Sequence, residues 1–145
     1  MSREAAYTAL FAKLLPLLST SGGPIVTLSR RLRTLDDMND PELPALFVTL
    51  DKQTRQVKAG LPPRRTLGAR LFLYVSSPDQ HVASGIQLNT LLDAIEAALA
   101  PTGIAAQQTL GGVVAHAWIE GVIETFEAIK TSRAAAGIPV TMLLP

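Results

Sequence analysis

A chain of 145 residues is long enough to bury one hydrophobic core and is read as one domain, 1–145. Apolar residues make up 48% and charged residues 17%, which excludes disorder over the whole chain and leaves apolar surface over for a subunit interface. Thirteen Lys and Arg against twelve Asp and Glu give a net charge of +1, excluding a strongly basic nucleic-acid binder, and the absence of cysteine excludes disulfides and thiolate chemistry.

Ser2 is placed to cap a first helix whose buried stripe is Tyr7, Leu10, Phe11, Leu14 and Leu18, at the three-and-four spacing of one helical face. Glu4, Tyr7 and Lys13 interrupt the apolar run 5–18, so it reads as an amphipathic helix of a soluble protein rather than a secretion signal. No apolar run approaches the roughly 20 residues that span a bilayer, so no membrane partner is expected. Pro16 removes a backbone hydrogen bond and clashes with the turn before it, so the helix should kink or end near Leu15. Residues 19–24 form a loop, and 25–28 have strand character.

The acidic, proline-marked stretch 36–44 cannot pair as a central strand. Strand character resumes at 45–50, where both faces are apolar, as in an interior strand. Residues 51–65 then carry Lys52, Arg55, Lys58, Arg64 and Arg65 against Asp51 alone, with Gly60, Pro62 and Pro63 breaking regular structure. A flexible basic loop is expected there, because connections of that length are commonly functional or disordered. Residues 66–75 are the clearest strand, with Leu67, Ala69, Leu71, Leu73 and Val75 on one face and Thr66, Arg70, Phe72 and Tyr74 on the other.

Ser84 followed by Gln87 reads as a capping box opening a second helix with Leu88, Leu91, Leu92, Ile95 and Leu99 as its core stripe, stopped by Pro101 and Gly103. After a turn at Gly111 and Gly112, residues 113–126 form one long or bulged strand, or two short ones broken near Gly121. The last strand spans 138–143, where Pro139 points to an edge or a bulge. Strands following one another without crossover helices favour an α+β fold, a single antiparallel or mixed β-sheet with two α-helices packed on one face.

A search for chemistry yields no catalytic, cofactor-binding or metal site. His81 sits in a polar turn and His116 in a strand, and no Gly-x-Ser-x-Gly elbow accompanies either. His116, Glu120 and Glu124 would share a helix face, but on a strand each four-residue step covers about 13 Å, too far for one ion. Neither glycine pair fits a phosphate or dinucleotide loop. Trp118 is read as a core or interface anchor. Arg30, Arg31 and Arg33 suit bidentate pairing with carboxylates such as Asp36, Asp37 or Glu120 on a neighbouring subunit.

Four stretches resemble, in order, a phage tail-terminator subunit, a minor tail protein of long-tailed bacteriophages. They are GLPPRRTLGARLFLYV at 60–75, LNTLLDAIEAALAP at 88–101, QTLGGVVAHAWIEG at 108–121 and IPVTMLLP at 138–145. The resemblance spans most of the chain from Ile25 onward. It implies an α+β subunit without enzymatic activity or cofactor, which closes the tail tube as a homo-oligomeric, hexameric ring. The implied partners are copies of itself, the tail tube protein and a head-completion or connector protein, with DNA meeting it at most transiently through the pore. The implied location is the virion tail, with the host cytoplasm during assembly.

A closed ring needs two different adhesive surfaces per subunit. The candidates are the face with Phe72 and Tyr74 and a sheet edge with Ile138 and Val140, joined by the two basic groups. Two alternatives stand beside this reading. One is another head–tail connector or tail-completion subunit. The other is a nucleic-acid-binding module acting through residues 51–65, although no aromatic side chain lies there for base stacking.

Overall fold

The computed structural model describes residues 2–129 and 131–145. The elements run α1 (Arg3–Leu14), β1 (Thr27–Ser29), β2 (Ala45–Gln56), β3 (Arg64–Ser76), α2 (Ser84–Ala98), β4 (His116–Ile119), β5 (Glu124–Glu127) and β6 (Arg133–Leu143). The α+β expectation holds as one six-stranded mixed sheet with two helices, in the order β1-β2-β3-β6-β4, with β5 also paired to β6. Only the β1–β2 pair is parallel. Two parallel neighbours need a crossover rather than a hairpin, and residues 30–44 supply it with two short 3-10 turns.

The Ser2 hydroxyl accepts the Ala5 N–H at 3.1 Å and caps α1. The helix ends at Leu14, and Pro16 falls inside a single 3-10 turn, Leu15–Leu17. A proline tolerates that position because the first N–H groups of a helical turn have no partner in any case. At α2 the expectation needs correction. Ser84 is already helical, Ala83 precedes it, and no side chain caps the helix.

On one face of β3 the buried positions are Leu67, Ala69, Leu71, Leu73 and Val75. Along β6 they are Ala134, Ala136, Ile138, Val140 and Met142. These positions join Tyr7, Leu10 and Leu14 of α1 and Leu88, Leu91 and Ile95 of α2 in one apolar cluster. Burying each leucine contributes about 1.5–3 kcal/mol. A second, smaller cluster forms around Phe47 and Tyr74, roofed by Met38 and Leu43.

β6 begins at Arg133, five residues before the expected start, and pairs with β3 on one side and with β4 and β5 on the other. It is therefore an interior strand, and Ile138 and Val140, 1% and 2% exposed, are core residues rather than an interface edge. Pro139 lies neither at an edge nor at a break in register with β3, where it stands opposite Arg70 in an unbroken ladder. The Glu120 N–H donates to the Pro139 carbonyl, so the missing proline N–H faces the irregular stretch between β4 and β5.

The largest correction concerns residues 51–65. They are mostly a paired hairpin, with Gln53 opposite Leu67, Thr54 opposite Thr66, Arg55 opposite Arg65 and Gln56 opposite Arg64. Only 57–63 form a loop, and Gly60, Pro62 and Pro63 all lie within it. At the hairpin base the register shifts between Leu50 and Gln53, and Leu50 turns out to solvent. Since β1 covers β2 only along 45–47, the hairpin extends past the sheet as an arm.

Candidate functional site

Two of the three arginines after β1 pair within this chain. Arg30 pairs with Glu4 and places its guanidinium 5.7 Å from the centre of the Tyr7 ring. Arg33 donates to both oxygens of Glu42, at 2.5 and 3.2 Å, and to the Asp37 carbonyl oxygen at 3.0 Å. That pairing, helped by the Asn39 N–H, holds the Glu42 carboxyl down to about 2. Arg31 is exposed and makes no side-chain ion pair among the described residues. Within the chain, neither Asp36 nor Glu120 receives an arginine among the described residues, and Arg30 and Arg33 pair with Glu4 and Glu42 instead.

The same segment explains Tyr74. Its hydroxyl donates to the Arg33 carbonyl at 2.8 Å, its ring meets Phe47 with centroids 5.5 Å apart, and burial raises its pKa. Arg133, which the sequence reading missed, clamps the segment from β6 by donating to the Leu35 carbonyl and to Asp40. Tyr74 is thus covered by residues 33–43 of its own chain. Phe72 is half-buried and lines a shallow groove with Arg70, Glu124 and Phe126.

His116 is spent on structure. Its Nδ1 accepts the Gln108 N–H at 3.1 Å, which makes Nε2 the protonated nitrogen of the neutral ring, and the ring stacks on Trp118 with centroids 5.0 Å apart. Buried Gln108, also missed in the sequence, donates its amide to the Ala100 carbonyl and accepts the Leu110 N–H. The turn that follows takes left-handed φ values of 77° and 89° at Gly111 and Gly112, where a side chain would be strained. Trp118 is half-buried and its indole N–H donates to Glu120 at 3.0 Å. His81 lies exposed in the turn after β3. Among the described residues, no three His, Asp or Glu side chains gather as a metal site.

Two exposed surfaces mix apolar and charged side chains. The arm carries Lys52, Arg55, Lys58 and Arg64, none in an ion pair among the described residues, beside Val57 and Leu61, 65% and 62% exposed. Arg65 lies at the arm's base, where its carbonyl accepts the Leu144 N–H. The other surface is β5 and its flanks. All four residues of β5 are exposed, and Glu124 and Glu127 bracket Phe126, 59% exposed, with Val122 at 74% just before them. Phe126 and Val122 gave no sequence signal because the strand reads as polar. The two surfaces lie at diagonally opposite corners of the sheet: β5 flanks residues 134–137 of β6, while the arm starts beyond Leu143 and on the far side of β3.

No protein-family model and no curated protein matches the sequence. Among solved structures, a chain from one described as the virion of a native gene transfer agent particle is similar to this chain at a TM-score of 0.54. The likeness covers 98% of this chain and 98% of that chain at 10% sequence identity. At that identity the likeness concerns the fold.

Proposed function

We propose that this chain is a non-enzymatic structural virion protein of a long-tailed bacteriophage, a single-domain tail-terminator subunit. It closes the tail tube as a ring, six copies in the implied form, stops tube growth and offers a docking surface to the head side. Its partners are copies of itself, the tail tube protein and a head-completion or connector protein. It works in the virion tail and assembles in the host cytoplasm, and DNA meets it only in passing through the pore.

The observation that carries this reading is the end-to-end likeness in fold to a virion chain, which covers both helices and every strand. The chemistry of the surface supports it. Arg30 and Arg33 are paired within the chain, and the exposed surface includes an arm and an acidic strand, each mixing apolar and charged side chains. Such mixed patches are the material of a protein interface. Ring assembly by different surfaces on each copy needs two such patches.

The test is polymerisation of the tail tube protein with and without this chain, read as tube length by electron microscopy. Terminated tubes, shorter and bearing an extra density at one end, are expected. Tubes of unaltered length with bare ends would overturn the proposal.

A further inference from the structure

We infer that the arm of one copy docks on β5 of the next, cations against glutamates around a shared apolar centre, so that copies join head to tail. This rests on the ring-forming reading above and names the surfaces that form the contact. The occupant is a second copy of this chain, and charge complementarity is the argument. Arg55, Lys58 and Arg64 lie on the arm beside Val57 and Leu61, while on β5 Glu124 shares one face with Phe126 and Glu127 projects from the other. A two-fold contact of arm on arm, or of β5 on β5, opposes like charges, which costs binding energy. An arm-on-β5 contact instead sets cations against carboxylates, and repeated head to tail it joins unlike surfaces.

The backbone agrees with the side chains. Past Phe47 the outer edge of β2 has no strand beside it, and β5 pairs only with β6. Both corners therefore present an open strand edge as well as complementary charge. Gly85 of α2 makes room for one of the two glutamates. A Cβ there would come within 2.6 Å of the Glu127 carboxylate, so the missing side chain lets that carboxylate lie against the first turn of α2, where the helix dipole favours it. The apolar tip and the lack of any aromatic residue between 51 and 65 suit a protein patch better than nucleic-acid bases.

The experiment is charge exchange, read by sedimentation velocity over a range of concentrations and salt. Arg55→Glu with Lys58→Glu, or Glu124→Lys with Glu127→Lys, should each weaken self-association about tenfold or more. The chain carrying all four substitutions should regain assembly, which an unfolded variant does not do. Glu124→Lys alone, whose side chain has no intrachain hydrogen bond to lose, should show a smaller loss in the same direction. Assembly unaffected by either pair overturns the docking while leaving the ring reading intact, and so does a fourfold variant that stays dissociated. A wild-type chain that is monomeric throughout overturns both. Salt-sensitive retention on duplex DNA that vanishes with the arm reversal, while self-association is unchanged, overturns the docking in favour of a nucleic-acid role for the arm.

Discussion

The Glu42 carboxylate holds together a stretch of chain that has little regular structure of its own. It accepts two guanidinium hydrogen bonds from Arg33 and one from the Asn39 N–H. Through them residues 33–43 stay folded over Phe47 and Tyr74. Because its pKa is depressed from 4.5 to about 2, the folded state favours the ionised form. The stabilisation is fully present above about pH 4.5 and is lost as pH falls toward 2. Glu42→Gln should therefore lower Tm near neutral pH and flatten the fall of Tm between those pH values, measured by thermal melts followed by circular dichroism. A variant that loses Tm with acid as steeply as the parent would show that the ion pair contributes nothing to stability.

At the level of elements, the arm depends on a close approach at its base. A Cβ on Gly68 would lie 2.5 Å from the Lys52 carbonyl oxygen, a backbone atom with little room to move, and the Gly68 carbonyl also accepts the Tyr7 hydroxyl at 2.7 Å. Gly68→Ala should destabilise by about 1–3 kcal/mol, as overpacking does. It should also hasten proteolytic cleavage within 51–65. Unchanged denaturant midpoints and cleavage rates would contradict this account of the arm's base.

Which elements the sequence disclosed follows the same logic. Pro16 ended α1 because its effect is local, and the alternation along β3 was plain because one face is wholly apolar. The arm was hidden: Thr54, Arg55 and Gln56 become a strand only when set against Thr66, Arg65 and Arg64, and a charge-rich stretch shows no apolar alternation. Residues 133–137 were missed because alanine is a weak strand signal, although Ala134 and Ala136 fill tight positions in the core. The arginine pairs within the chain were hidden for a comparable reason. Arg30 meets Glu4 and Arg33 meets Glu42 across folds of the chain that no spacing rule reveals.

For the whole molecule, the central claim is that this chain closes rings through unlike surfaces. A basic arm and an acidic strand occupy opposite corners of one sheet, so identical copies can satisfy each other in a directional chain, which ends either as a closed ring or as an open filament. Closure is what the proposed tail-terminator role requires. Negative-stain electron microscopy of the purified chain across a concentration series tests this most directly. The account predicts closed rings of uniform diameter with a central pore, and a field of single small particles at every concentration, or of open filaments, would contradict it.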